Sequence, residues 1–472
     1  MIFSQHYLGC LSHASYLIGD ESTGRAVVVD PRRDIGVYLA EAAAKSLLIE
    51  RVIETHLHAD FLSGHLELAE RTGAVISFGE AADLDFPTEP LVDGQRIALG
   101  EVSLEIRATP GHTPESICVL VFEHVDDPVP YGALTGDTLF VGDVGRPDLF
   151  ASSASGFTTD RLARMLYHSL HERILDLPDE TRIFPAHGAG SACGKQLSSE
   201  TSSTLGEQRR SNYALAAMTE DDFVAAVTEG QPVRPAYFSF DAQRNRETHQ
   251  LLDEHSPPPP MDLTTVVAHQ QAGALLLDTR EPVDFAAAHL RGAINVGLQG
   301  RFAEWAGEVL DPGRDIVLVG DPTTALESRV RLARIGFDRV VGYLSEPGQL
   351  LIGRPDLVEA SSRVTIVELA ELIGVQADIQ LVDVRSPGET VEGTLPAARA
   401  VPLAGLVGSL DEFDPEAPTV VYCAGGYRSL VASSVLRHAG FADVSDLLGG
   451  YGAWAAAGLP VVTGTKPPGD II

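Results

Sequence analysis

Cysteine is scarce in this chain: Cys10, Cys118, Cys193 and Cys423 are the only four in 472 residues, and no two form a C-x-x-C pair. That spacing excludes a disulfide framework and a cysteine-based structural zinc site, leaving free thiols to be judged by their surroundings. Lysine is scarcer still, at positions 45, 195 and 466 only, and 66 acidic residues outweigh 34 basic ones for a net charge of −32. Without a basic footprint, nucleic-acid binding is disfavoured. No apolar run approaches the roughly 20 residues that span a bilayer. The start, Met1-Ile2-Phe3-Ser4-Gln5-His6, lacks the basic region and apolar core of a signal peptide. No membrane partner is expected, and a cytoplasmic location is.

What is present reads as several globular domains, since about 100–200 residues make one. Over roughly the first 250 residues, β-branched runs such as Val27-Val28-Val29-Asp30 and Ser116–Phe122 alternate with turns and helices. Ser256-Pro257-Pro258-Pro259-Pro260 then interrupts the pattern; four prolines cannot continue a helix or central strand, so an extended, semi-rigid linker is expected. Past it the chain repeats itself. Leu275–Arg280 matches Gln380–Arg385 at an offset of 105, and Ile316–Val319 matches Val420–Cys423 at an offset of 104. Each copy reads strand, helix, strand, helix, strand, the pattern of a parallel sheet flanked by helices. The expected domains are therefore 1–255, a linker at 256–261, and copies at 262–356 and 357–472.

Candidate ligands share one placement: each sits in a loop just after a strand-like run. His56 and His58 lie in Thr55-His56-Leu57-His58-Ala59-Asp60-Phe61, His112 in Thr109-Pro110-Gly111-His112-Thr113, Asp137 in Thr135-Gly136-Asp137, and His187 in Pro185-Ala186-His187-Gly188. In family order these motifs resemble the metallo-β-lactamase superfamily, which implies an αββα sandwich for the first domain. The superfamily's H-x-H-x-D-H signature has Phe61 in place of its last histidine, so a second metal loses an imidazole and the first loses nothing. Within the superfamily, Thr-His-x-His-Ala-Asp, Gly-His-Thr, Thr-Gly-Asp and the Gly-Arg-x-Asp at Gly145–Asp148 are similar to persulfide dioxygenases. That resemblance implies one iron(II) per chain on His56, His112 and Asp137, the two-imidazole, one-carboxylate set of non-haem iron oxygenases, with zinc as a possible substitute. It casts His58, Asp60 and His187 as residues that orient ligands and bound water. Arg146 would anchor an anionic substrate or brace the loop near Asp137, with bracing favoured. Cys193, two residues before Lys195, would accept or relay sulfur, because a nearby cation lowers a thiol's pKa; an inert packed thiol fits as well. Cys10 and Cys118 sit in apolar runs and read as core residues.

The second repeat carries its own chemistry. Cys423-Ala424-Gly425-Gly426-Tyr427-Arg428 follows a strand-like run and precedes a helix, so Cys423 faces amides and a helix dipole that stabilise thiolate or persulfide. Arg428 would add a fixed positive charge. This C-x-x-G-x-R loop resembles the active loop of rhodanese sulfurtransferases, and implies two rhodanese-like α/β domains with parallel sheets. Phosphatases on that fold place five residues between cysteine and arginine; here there are four, room for one sulfur atom. The first copy has Val319 and Thr324 at the cysteine and arginine positions and Asp321-Pro322 in the loop, which reads as inactive. Together these resemblances imply oxidation of a low-molecular-weight thiol persulfide by O2 to sulfite, with Cys423 exchanging sulfur with sulfite or thiosulfate, in a homo-oligomer that detoxifies sulfide. The enzyme alternative is a zinc-dependent glyoxalase II-type thioester hydrolase fused to a sulfurtransferase, against which Phe61 counts. A non-catalytic sulfur-carrier module is the alternative from another class.

Overall fold

All seven residues of the strand His13–Gly19 are buried, and their alternation explains the first half of the molecule. Ala14, Tyr16 and Ile18 enter one apolar cluster with Ile117, Val119 and Val121, whereas Leu17 enters another with Tyr38, Ala42 and Leu68. A strand buried on both faces must lie between two layers. In the computed structural model, which describes all residues except 152–155, 346, 349–351, 376–377 and 464–472, those layers are two six-stranded sheets face to face. Lys466 and the end of the 357–472 domain lie outside the described residues.

The first sheet runs β1 (Ile2–Leu8), β2 (His13–Gly19), β3 (Arg25–Val29), β4 (Leu48–Ile53), β5 (Val75–Gly79) and β6 (Glu89–Leu91) in order. The second holds β7 (Arg96–Ala98), β8 (Ser103–Ala108), β9 (Ile117–Phe122), β10 (Gly132–Gly136), β11 (Arg182–Pro185) and β12 (Ser203–Thr204). Both mix parallel and antiparallel pairs. Helices Gly36–Ala44 and His65–Thr72 pack outside the first sheet, and Thr159–Ser169 and Glu220–Thr228 outside the second. This is the αββα sandwich. It belongs to the first of two compact units, Met1–Glu254 with Ala333–Gly336; the second is His255–Leu332 with Phe337–Ile472.

The second unit contains both repeats. The first copy's parallel sheet is built from β13 (Leu275–Asp278), β15 (Ile294–Asn295), β16 (Ile316–Val319) and β17 (Val340–Leu344), in the order β15-β13-β16-β17. A separate ribbon pairs β14 (His289–Leu290) with β18 (Val358–Glu359). The second copy orders β19 (Ser362–Val364), β20 (Gln380–Asp383), β21 (Arg399–Ala400), β22 (Thr419–Tyr422) and β23 (Val444–Leu447) as β19-β23-β22-β20-β21, all parallel. Because β18 pairs back to the first copy, the chain changes copies between Glu359 and Ser362. The proline segment is held by backbone hydrogen bonds. Pro259 accepts from Tyr343 N at 3.0 Å and Met261 N donates to Tyr343 O at 2.8 Å, so the segment runs along the edge of β17. An edge tolerates proline because only one side of the strand has a partner to satisfy. Among the described residues, no helix is long and apolar enough to cross a membrane.

Candidate metal centre and sulfur-transfer loop

The loops that follow β4, β8, β10 and β11 bring His56, His112, Asp137 and His187 together, all buried. Two glycines permit the close approach. Gly136 turns the chain at φ +50° just before Asp137, and a Cβ on Gly145 would lie 2.0 Å from the Asp137 carbonyl and 2.9 Å from His112 Nδ1.

Hydrogen bonds settle which imidazole nitrogens are free. Thr55 donates its hydroxyl to Asp30 Oδ2 at 2.9 Å, so His56 Nδ1, 3.0 Å from that hydroxyl, is the donor to it. His112 Nδ1 lies 2.8 Å from the Arg146 carbonyl and His187 Nδ1 3.2 Å from the Ser12 carbonyl, and a carbonyl only accepts. Each ring therefore turns an Nε2 lone pair inward. His56 Nε2 and His112 Nε2 lie 3.7 and 3.4 Å from Asp137 Oδ2, and His187 Nε2 lies 3.5 Å from Asp137 Oδ1. Among the described residues, no donor reaches either oxygen of Asp137 in hydrogen-bond geometry, although the Cys193 thiol stands close enough to lower its pKa, and the Nε2 of His56 and of His187 has no partner. Burial holds His56 well below the usual imidazole pKa and His112 at about 4, while it pushes Asp137 up to about 6. Neutral imidazoles around an unpaired buried carboxylate are what a cavity for a cation provides, so these residues fit a bound metal.

A second group stands beside the first. His187 Nε2 is also 3.5 Å from Asp60 Oδ2. His58 stands between two groups: its Nε2 lies 3.2 Å from Asp30 Oδ1 and 3.5 Å from Glu54 Oε2, and it also clusters with Asp60 and His187. Burial opposes its charge, yet Asp30, Glu54 and Asp60 outweigh burial and raise its pKa to about 9. Its Nε2 therefore favours a proton, turned towards Asp30. Phe61 is buried, with its ring centroid 4.4 Å from that of His58 and 4.0 Å from that of His13.

Arg146 ties its loop to two distant segments. Its guanidinium donates to both oxygens of Asp148 at 2.7 and 2.8 Å and to the carbonyls of Ala192 and Pro232 at 3.1 and 2.9 Å. Cys193 joins Asp137 and His187 in a buried cluster, but the expected lysine is not beside it. Lys195 Nζ donates to the carbonyls of Ala226 and Glu229 and lies over the Tyr213 ring. Burial, then Asp60 and Asp137, pushes the Cys193 thiol well up, so it is protonated rather than activated. Cys118 is a core thiol, whereas Cys10 is only half-buried in the turn after β1, which corrects its reading as a core residue.

In the second unit, Cys423 follows β22 and is buried. Gly426 N donates to its Sγ at 3.1 Å, and Gly426, at φ +101°, bends the loop that makes this possible. The helix Arg428–His438 begins immediately after. Arg428 is not a free charge: it donates to Glu389 Oε2 at 2.8 Å and Oε1 at 2.6 Å. Burial raises the Glu389 pKa, and Arg428 and Ser386 overcome it to bring it to about 2. Ala424 and Gly425 complete the loop, backed by Tyr451 N and Gly452 N on the carbonyls of Cys423 and Ala424 at 2.7 and 3.0 Å.

Sequence reasoning passed over Asp30, Glu54, His13, Glu389 and the start of the helix Gly450–Ala456. Only the last left a signal, two glycines just past a strand; the others act through partners far away in sequence.

The metallo-beta-lactamase superfamily model matches residues 8–187, and the rhodanese-like domain model matches 262–346 and 365–457. The chain is 31% identical over 235 residues to the mitochondrial persulfide dioxygenase ETHE1 of Homo sapiens, spanning 49% of this chain and 82% of that protein. It has the same identity and coverage against the Bos taurus protein. A crystal structure of a metallo-beta-lactamase from Staphylococcus aureus subsp. aureus COL is similar at TM-score 0.67 and 34% identity, over 73% of this chain and 99% of that one.

Proposed function

The chain belongs to the metallo-β-lactamase superfamily and carries two rhodanese-like domains, and from that premise we propose that it is a persulfide dioxygenase–sulfurtransferase acting in sulfur metabolism. The reading rests on one observation above all: two imidazole lone pairs, from His56 and His112, converge on the unpaired buried carboxylate of Asp137. In this proposal they hold one iron(II) per chain. Bound there, iron supplies open positions at which O2 reacts with a sulfur substrate. The chain's own residues prepare that site. Asp30 and Thr55 fix the His56 tautomer, the Arg146 carbonyl fixes that of His112, and Asp60 with His187 holds a proton beside the substrate. Phe61 removes an imidazole from any second site and packs its ring between those of His58 and His13.

The net reaction is RSSH + O2 + H2O → RSH + H2SO3, in which the terminal sulfur is oxidised and the thiol leaves with a proton. Cys423 thiolate then takes the terminal sulfur of a second thiol persulfide, whose S–S bond breaks to release RSH, and the resulting Cys423 persulfide transfers that sulfur to sulfite, forming the S–S bond of thiosulfate and releasing the Cys423 thiolate. The Gly426 amide and the helix beginning at Arg428 stabilise that thiolate. The first copy is inactive in this proposal: Asp321 Oδ1 accepts from Thr323 N at 2.8 Å and Thr324 N at 3.1 Å, so its own carboxylate fills the anion cradle beside Val319.

Protein purified without oxygen is expected to hold one iron per chain and to consume O2 on addition of glutathione persulfide. Fully active protein with two zinc ions per chain, or thioester hydrolysis without O2 uptake, would refute the proposal.

A further inference from the structure

The two rhodanese-like copies share more than a linker. The helix Arg428–His438, which ends the Cys423 loop, places Leu430 fully buried in the first copy's core with Leu276, Val317, Val319 and Leu344. One short segment of the first copy follows this helix along its length. Gly292 O lies 2.8 Å from His438 Nδ1, Asn295 N donates to Ser434 Oγ at 3.0 Å, and Gly297 O accepts from the Tyr427 hydroxyl. Trp305, on the first copy's helix Phe302–Val309, packs its ring 4.6 Å from that of Tyr427. The fit at Gly297 is tight, because a Cβ there would lie 2.6 Å from the Tyr427 hydroxyl oxygen.

Tyr427 directly follows Gly426, whose amide donates to Cys423 Sγ. Any shift of Tyr427 therefore moves the donor that holds the sulfur. We infer that the first copy is a positioning element for the Cys423 site: Gly297 and Trp305 clamp Tyr427, and the clamp sets the cradle around the sulfur atom. This explains why a copy without cysteine or arginine in its own loop keeps a complete fold, and it makes Gly297 and Trp305 positioning residues for sulfur transfer. The inference rests on the reading of Cys423 as the sulfur carrier.

The test compares kcat for sulfur transfer from thiosulfate to cyanide in full-length variants. Gly297→Ala and Trp305→Ala should each lower kcat about three- to tenfold, the scale of one aromatic contact or hydrogen bond. Trp305→Phe, which keeps a ring against Tyr427, should restore most of it, while persulfide-dependent O2 uptake stays unchanged in both Trp305 variants. Tyr427→Phe removes the hydroxyl that the methyl group introduced by Gly297→Ala would strike, so the two substitutions combined should match Tyr427→Phe alone. Wild-type kcat in Gly297→Ala and Trp305→Ala, or losses that simply multiply with Tyr427→Phe, would overturn the inference. Cys423→Ser in the same assay keeps the two readings apart: full transfer by that variant overturns the carrier role itself, whereas its inactivity beside a fully active Gly297→Ala variant overturns only the clamp.

Discussion

Replacing His58 with alanine tests the proposal that it orients the metal site while His56 holds the metal. His58 is fully buried between Asp30 and Glu54, and its pKa is raised from the usual 6.5 to about 9. At about 1.4 kcal/mol for each tenfold gain in proton affinity, that rise is worth about 3 kcal/mol of stability. The sign follows from a folded pKa above the unfolded one: the contribution is complete below pH 6.5 and is lost as pH rises through 9. His58→Ala also takes the imidazole from between Asp30 and Glu54, whose own carboxyl burial pushes well above the usual carboxylate range. Urea unfolding of metal-free protein should therefore show the largest gap between wild type and His58→Ala near pH 6, shrinking by about 3 kcal/mol towards pH 10. Both tryptophans, Trp305 and Trp454, lie in the second unit, so far-UV circular dichroism is the suitable probe. In iron-loaded protein, His58→Ala should keep its metal through dialysis with O2 uptake lowered about 10- to 100-fold, while His56→Ala should lose both. A stability gap that does not change with pH would refute the charged-histidine argument. Loss of iron from His58→Ala as complete as from His56→Ala would refute the division of roles.

Two further outcomes are expected. Cys423→Ser should abolish sulfur transfer to cyanide or sulfite but spare persulfide-dependent O2 uptake, shifting the product from thiosulfate to free sulfite; thiosulfate formed at the wild-type rate, with non-enzymatic exchange controlled for, would move attention to Cys193. Arg146→Met should lower iron affinity about 10- to 100-fold by freeing the loop whose carbonyl orients His112, and Arg146→Lys should do nearly the same because an ammonium lacks the guanidinium fork. If either variant keeps iron under chelator challenge and only KM rises, Arg146 binds substrate instead.

The amino-acid sequence by itself pointed to the candidate donors and to the kinds of domain the chain carries. His56, His112, Asp137 and Cys423 were legible because each stands in a short motif beside a strand, and the copies were legible because the same strands recur at a near-constant offset. Phe61 was informative for a similar reason, since a missing nitrogen is visible in one letter. Only the tertiary structure decided which side chains surround those donors. Lys195 is two residues from Cys193 yet turns to carbonyls of a helix and the turn after it, and Arg428 carries a charge that Glu389, 39 residues away, neutralises. His58 shares a motif with His56 but is set against Asp30, the residue after β3, which no local pattern announces. The grip of Gly297 and Trp305 on Tyr427 crosses more than a hundred residues and leaves no local pattern. Motifs encode what a side chain can do chemically; its charge state and orientation depend on burial and on partners that only folding brings near.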